Sequence, residues 1–184
     1  MKTLVLTAAM FFISLCCNAQ FKLTPTAGLI TEDGPYTILR SGVEADNYEA
    51  AKKAIKATIP NAEIIDVEYE KSFSVIASCK QHGKLPGDLV ASDWVIPYKL
   101  KIEASDDKIQ ISFEEIGTLE RRSKRGEVFY IHPTTGKNSM LVDMTCNHYL
   151  FNSKGKVGKR AQRYVLFFEE FANGIVKEIE NNLN

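Results

Sequence analysis

A chain of 184 residues, of which 45% are hydrophobic, has the size and composition of one soluble globular domain, or of one domain with an extension. Its 23 basic and 23 acidic residues give a formal net charge of zero, so no overall field draws it to nucleic acid or to an anionic membrane. A nucleic-acid partner is therefore not expected, and any charged partner must be recognised by a local patch.

The first 19 residues have the three parts of a secretory signal peptide. Lys2 precedes an apolar run over residues 4–15, and Cys17-Asn18-Ala19 supplies the small residues that a signal peptidase recognises. The run is shorter than the about 20 residues that span a bilayer. We expect cleavage after Ala19, export to the periplasm or the extracellular space, and no transmembrane segment in the mature chain.

The four cysteines leave two questions open. Cys16 and Cys17 end the apolar run, which makes a lipoprotein the alternative address, but neither is preceded by the small residue that lipid attachment requires. Cys79 and Cys146 stay in the mature chain and are candidates for a disulfide in an oxidising compartment. Two separate buried thiols are the alternative.

The mature chain is predicted to begin with an extended lead-in over residues 20–33 and a first strand over residues 36–43. A helix follows, with Asp46 as N-cap and Glu49 completing a capping box. Its apolar stripe consists of Tyr48, Ala51, Ile55 and Ile59, and Pro60 ends it.

A run of strands comes next. Residues 63–70 are predicted to turn Ile65, Val67 and Tyr69 to the core, and the return strand adds Phe73, Val75, Ala77 and Cys79. The clearest alternation places Trp94, Ile96, Tyr98, Leu100 and Ile102 in the core, and residues 108–114 complete a hairpin. Ile64, Ile76 and Val95 fall on the opposite face. We expect residues 119–151 to fold back over this apolar row, with a partner surface as the alternative.

The C-terminal third contains two basic stretches and a long amphipathic helix over residues 161–182. Cations near the start of a helix are unfavourable for its dipole, so another interaction is expected to favour them. The candidate binding residues are Arg121, Arg122, Lys124, Arg125, Lys159, Arg160 and Arg163. Their expected partner is an envelope protein, an anionic glycan or a lipid headgroup. The alternative is a solvated surface that keeps the protein soluble.

The order strand, helix, several strands, helix predicts an α+β domain, with an antiparallel sheet covered by helices on one face. Residues 34–117 resemble a bacterial family called domain of unknown function 4468. The resemblance rests on Gly34-Pro35-Tyr36-Thr37-Ile38, on residues 48–53, and on the hairpin of residues 98–102 and 108–113. It implies a TBP-like fold, a curved antiparallel sheet with helices on its convex side, and it assigns no catalytic residue. The organisation is then a signal peptide (1–19), a lead-in (20–33), the domain (34–117) and an extension (118–184).

No catalytic motif is present in the sequence. Cys79, His82, Cys146 and His148 form the one possible zinc set, but a cysteine and a histidine separated by one residue are unusual ligands, so no metal or cofactor is expected. Thr134-Thr135-Gly136-Lys137 lacks the upstream glycine of a phosphate loop. We therefore expect a non-enzymatic binding or envelope-associated module that uses the open sheet face, with a small hydrolase lacking a known motif as the alternative.

Overall fold

The computed structural model describes residues 20–26, 28–123, 125–135, 147–159 and 161–183. Within these residues, two α-helices pack on a large sheet. The elements in chain order are β1 (Lys22–Thr24), β2 (Gly28–Ile30), β3 (Tyr36–Leu39), α1 (Glu44–Thr58), β4 (Glu63–Val67), β5 (Ser72–Gly83), β6 (Ser92–Ala104), β7 (Lys108–Ile116), β8 (Leu119–Arg122), β9 (Val128–Thr135), β10 (Asn147–Phe151) and α2 (Gln162–Leu183).

Strand β6 is the centre of the sheet. One edge of β6 pairs with β5 along its whole length, and β4 pairs with the far side of β5. The other edge is shared, since residues 98–104 pair with β7 and residues 93–95 pair with β8. Strand β3 pairs with β7, and β9 and then β10 follow β8. The β9–β10 pair is parallel, so the sheet is mixed and mostly antiparallel rather than wholly antiparallel as expected.

The gap between β7 and β8 requires a glycine. The Gly117 amide donates a hydrogen bond to the Pro97 carbonyl oxygen at 2.8 Å. A Cβ atom at residue 117 would lie 2.6 Å from Pro97 Cγ, closer than real Cβ atoms approach, and 3.0 Å from that oxygen. The two strands therefore follow the edge of β6 almost continuously because this position has no side chain.

The helix-covered face of the sheet holds the core, and the alternation in β6 predicts it correctly. All five predicted residues are buried: Trp94, Ile96, Tyr98, Leu100 and Ile102. Ring contacts join the helices to this face, with centroids 5.8 Å apart for Tyr48–Phe73, 5.5 Å for Tyr98–Phe171 and 5.4 Å for Trp94–Phe167. Helix α1 covers one half of the sheet, and α2 covers the other.

The predicted inward face of β4 is wrong. Ile64 pairs with the fully buried Val75 and packs against the core, whereas Ile65 is 45% exposed and Tyr69 is 85% exposed. The register with β5 decides the face, because side chains of directly opposed residues lie on the same side of a sheet. The strand also ends at Val67, and a 3-10 turn over residues 68–70 carries Tyr69 out of the sheet.

The predicted N-cap of the first helix is also wrong. Helix α1 begins at Glu44, and its N-cap residue, Val43, makes no side-chain capping bond. Asp106, from the turn between β6 and β7, accepts the Glu44 amide at 2.9 Å instead. A cap that comes from a distant turn has no local sequence signal, and Asp46 lies in the first helical turn, where its charge suits the helix dipole.

The lead-in forms a small hairpin, β1–β2, that docks on α2. The Asn173 side chain accepts the Phe21 amide at 2.9 Å and donates to the Phe21 carbonyl oxygen at 3.4 Å. Glu169 accepts the Leu23 amide at 3.0 Å. Side chains of α2 therefore hold the backbone of residues 21–23. The Asn173 side-chain amide makes the two hydrogen bonds to Phe21 that a neighbouring strand makes in a sheet.

The segment over residues 119–151 extends the sheet instead of folding back over it, so that expectation is wrong for the described part of the segment. Strands β8, β9 and β10 add to the edge because their backbone groups find partners there. Ile76 therefore stays 40% exposed on the uncovered face, and Val95 is half-buried. Leu141 and Val142 lie outside the described residues.

Candidate functional site

The predicted basic residues fall on different surfaces. Arg121 and Arg122 are neighbours in β8 and point to opposite faces, Arg121 opposite Trp94 on the helix side and Arg122 opposite Asp93 on the open side. Arg125 and Lys159 are exposed on turns. Lys124 and Arg160 lie outside the described residues.

Arg121 and Arg163 meet, although 41 residues separate them in the sequence. Arg163 is the second residue of α2, and the start of that helix lies over the inward face of β8 and β9. Both arginines line a cavity of about 310 Å³, which we call the arginine cavity. Its other lining residues are Asp88, Phe129, Ile131, His148 and Tyr164.

Arg121 is held on three sides. Its Nη1 atom lies 3.1 Å from Asp88 Oδ1, and its Nε donates to Ser92 Oγ at 3.2 Å. Its guanidinium lies over the Phe129 ring, with the central carbon 5.5 Å from the ring centroid. These contacts fix the direction of the guanidinium and leave further N–H donors available, because arginine has five.

Asp88 is the buried carboxylate of the arginine cavity. A turn in which the Asp88 amide donates to the Leu85 carbonyl oxygen at 2.9 Å brings it inward, and Gly87 supplies the positive φ of 86°. The Asp88 side chain is 8% exposed. Its Oδ2 atom is buried and accepts no hydrogen bond from any described residue. Such an oxygen costs free energy until a donor reaches it.

Tyr164 supplies a neutral phenol at the cavity wall. Burial raises the pKa of Tyr164, the Asp88 carboxylate raises it further, and Arg163 and Arg121 oppose that rise. The Arg163 guanidinium carbon lies 5.6 Å from the Tyr164 ring centroid. The raised pKa keeps the Tyr164 hydroxyl protonated at neutral pH, so it serves as a hydrogen-bonding group rather than as a base.

The open face of the sheet carries a second feature, an aromatic row formed by Tyr130, His132 and Tyr149. The ring centroids are 6.5 Å apart for Tyr130–His132 and 4.5 Å apart for His132–Tyr149, with planes inclined by 25° and 20°. His132 Nδ1 lies 2.8 Å from the hydroxyl oxygen of Thr118. Tyr130 is 37% exposed, so the row presents aromatic surface to solvent.

A depression of about 260 Å³ lies beside the aromatic row, and its lining includes Lys80, Asp93, Val95, Glu120 and Arg122. Glu120 pairs in the sheet with both Val95 and Tyr130, which joins the depression to the row. Elsewhere the charges of this face pair with one another, at 2.7 Å in Lys99–Glu114 and 2.8 Å in Lys101–Glu103.

The zinc set is not assembled by the described residues. Cys79 and His82 lie in the same strand three positions apart, so Cys79 packs against the core while His82 faces the open side beside Asp93. Within the described ranges no group of three or more metal-binding side chains occurs. Cys79 forms no disulfide with any described residue, and burial raises the pKa of its thiol. Cys146 lies outside the described residues, so the disulfide stays a prediction.

Sequence reasoning missed Asp88, Tyr164 and the aromatic row. Asp88 lies in a loop with a turn signal and nothing else to mark it. Tyr164 falls on the apolar stripe of the predicted C-terminal helix, and helical spacing alone indicates only a core position. The row had a usable signal, because alternation in residues 128–132 places Tyr130 and His132 on one face, but nothing local shows that Tyr149 lies beside them.

Comparison with known proteins identifies the fold. No family model and no curated protein sequence matches this chain. Its structure is similar to that of a DUF4468 family protein from Bacteroides ovatus, with a TM-score of 0.53 and 11% identity over 88% of this chain and 93% of the other. It is also similar to a TBP-like protein from Parabacteroides distasonis, with a TM-score of 0.53 and 10% identity over 80% of this chain and 90% of the other. The chain therefore has the α+β, TBP-like fold of these proteins, as its sequence resemblance to the first family implied.

Proposed function

We propose that this protein is an exported, non-enzymatic binding module that binds a glycan chain of the cell envelope on the open face of its sheet. The observation that carries the proposal is the aromatic row. Tyr130, His132 and Tyr149 stack along a sheet face that no described helix or strand covers, and a solvent-facing row of rings marks a surface for a partner.

The surroundings of the row favour sugar over a charged partner. Sugar rings offer apolar faces for aromatic rings and hydroxyl groups for nearby polar side chains. Glu120 and Lys80 supply such polar groups at the depression. The paired charges elsewhere on this face leave little net field, so binding is expected to depend weakly on salt.

The test is sedimentation of the mature protein with insoluble envelope polysaccharide. Tyr130→Ala is expected to weaken binding about fivefold, because an aromatic contact contributes about 1 kcal/mol. Tyr69→Ala is the matched control, since Tyr69 is 85% exposed and lies away from the row. Equal binding by both variants, or none by the wild type, contradicts the proposal.

The same experiment separates binding from hydrolysis. A binding module leaves the polysaccharide intact, whereas release of soluble fragments that increases with time identifies an enzyme and overturns the non-enzymatic part of the proposal. Cell fractionation with intact mass tests export. We expect the exported form to begin at Gln20, and a lipid-modified mass that retains Cys16 or Cys17 contradicts that start.

Neither helix in the described part of the chain has the length and apolar character needed to cross a membrane.

A further inference from the structure

We infer that the arginine cavity, on the helix side of the sheet, is a binding site for a sugar acid: a ligand with one carboxylate and several hydroxyl groups. This inference goes beyond the proposed function and does not depend on it, because the aromatic row lies on the opposite face. It rests on the charge of the cavity, on the available donors and on the Asp88 carboxylate in the cavity wall.

The charge of the cavity matches a monoanion. With His148 counted as neutral, Arg121 and Arg163 bring two positive charges, and Asp88 brings one negative charge. A single carboxylate therefore neutralises the site. A dianion such as phosphate leaves an excess negative charge beside a buried carboxylate, which is unfavourable where the surroundings screen charge poorly.

The donors for a carboxylate are in place. Arg121 keeps N–H groups beyond those that contact Asp88 and Ser92, and its orientation is already fixed. Arg163 makes no ion pair with any carboxylate in the described part of the chain, and its guanidinium rests on Tyr164. Two guanidinium groups around one cavity are well suited to bind a carboxylate through charge-assisted hydrogen bonds.

Asp88 selects for hydroxyl groups. A bare carboxylate ligand offers no hydrogen-bond donor to this acidic side chain, whereas a hydroxyl beside the carboxylate does. Asp88 lines the cavity, and its ionised carboxylate has acceptor atoms only, so a ligand hydroxyl that donates to it is favoured over a further ligand acceptor. The ligand must therefore carry donors as well as one negative charge.

The remaining walls suit the carbon skeleton of a sugar ring. Phe129, Ile131 and Tyr164 add apolar surface, and the volume of about 310 Å³ lies at the lower end of ligand cavities, which fits one sugar residue. A free sugar acid and a uronic acid residue within a glycan share this chemistry.

The test is calorimetric titration of the mature protein with glucuronate, glucose, acetate and inorganic phosphate. Glucuronate is expected to bind at least about tenfold more tightly than the other three, because it alone combines a planar carboxylate, hydroxyl donors and a carbon ring that can contact the apolar walls. Arg163→Gln is expected to weaken glucuronate binding about tenfold. Arg163 is an exposed residue at the start of α2, so this variant is expected to fold.

Arg125→Gln is the matched control, since Arg125 is also exposed but lies in the turn after β8, outside the cavity. Asp88→Asn is expected to reduce the preference for glucuronate over acetate and over phosphate. The inference is overturned by undetectable glucuronate binding, by equal losses in the Arg163 and Arg125 variants, or by tighter binding of phosphate.

A short oligo-uronate distinguishes the two sources. Tighter binding of the oligomer than of glucuronate identifies a glycan residue as the natural ligand, and weaker binding identifies a free sugar acid. The proposed glycan function is tested separately, by sedimentation of the Tyr130→Ala variant with polysaccharide. That variant keeps every residue of the arginine cavity, so the two proposals can fail independently.

Discussion

At both ends of strand β6, alternate side chains point toward the helices. At the C-terminal end they enter an apolar interior, whereas at the N-terminal end they enter a polar one. At the C-terminal end, Leu100 and Ile102 lie opposite Val75 and Phe73 on one side and Phe113 and Ile111 on the other, and every one of these residues is buried and apolar. At the N-terminal end, Trp94 lies opposite Arg121, and the interior includes Ser92 and Asp88. Alternation decides which side chains turn inward, but the partner strand decides what they meet.

The exchange of partner strands at Gly117 separates the two ends. Before Gly117 in the sequence, β7 supplies apolar residues, and α1 covers them to form an apolar core. We call this C-terminal end of β6 the dry end. After Gly117, β8 supplies Arg121, and the first turn of α2 supplies Arg163 instead of an apolar residue. A polar interior is stable here because Arg121, Asp88 and Ser92 satisfy one another in part.

The dry end is expected to show the largest mutational effect. Leu100→Ala removes a fully buried side chain and leaves a cavity, so the free energy of unfolding should fall by about 2–5 kcal/mol. Urea denaturation measures it. Ile76→Ala is the control from the adjacent strand, where a 40% exposed side chain should contribute less than about 1 kcal/mol. Equal effects would contradict the assignment of faces.

The polar end should respond next, and with a different signature. Arg121→Met removes the cation that faces the buried Asp88 carboxylate and should lower the free energy of unfolding by about 2–3 kcal/mol. Adding Asp88→Asn should restore part of that loss, because it removes the carboxylate that lost its partner. If the double variant loses more unfolding free energy than the two single variants lose in sum, the Arg121–Asp88 ion pair does not explain the stability of the polar end.

The junction itself is tested by Gly117→Ala. The new Cβ would meet Pro97 Cγ at 2.6 Å, so β6 and β7 must move apart, at a cost of about 1–2 kcal/mol. Gly158→Ala is the control, because nothing lies within 4 Å of a Cβ there. Comparable melting temperatures for the two variants would mean that the strands adapt and that the junction is not rigid.

The comparison also separates what the sequence predicts from what it leaves open. Alternation over residues 94–102 identifies the core face because one strand with one buried side leaves only one choice. It fails for β4, where adjacent apolar residues, Ile64 and Ile65, compete and the register with β5 decides. Helix spacing finds α2, but the cap on α1 and the hairpin clamped by Asn173 depend on residues far away in the chain.

The candidate sites were predictable only in part, for the same reason. The basic stretches include Arg121 and Arg163, yet the sequence gives no reason to select these two from the seven candidate residues. Asp88 is what distinguishes them, and it reaches the cavity through a loop turn before β6. The cavity combines residues from the loop before β6, from β8 and from the start of α2. Such contacts arise only when the chain folds, so no local sequence pattern predicts them.

The smallest expected effect concerns a polar link on the surface of the dry end, where Asp66 in β4 joins α1. Lys52 Nζ lies 2.6 Å from Asp66 Oδ2, and the Tyr48 hydroxyl donates to Asp66 Oδ1. The hydrogen bond from Lys52, and then that from Tyr48, lowers the pKa of Asp66. The Asp66 side chain is 40% exposed, so solvent limits the contribution to less than about 1 kcal/mol.

The sign of the pH dependence follows from the lowered pKa. A carboxyl group with a lower pKa in the folded state binds fewer protons there, so its contribution is complete above the ordinary value of 3.8 and is lost as the pH falls through the folded-state pKa. Asp66→Asn should therefore lower the urea midpoint slightly at neutral pH and have no effect well below pH 3.8. A difference that persists unchanged in acid would mean that the link acts through packing rather than charge. In that case Asp66 would stabilise the protein in the same way as the apolar residues beneath it. Only the end of β6 that lines the arginine cavity would then depend on ionised groups.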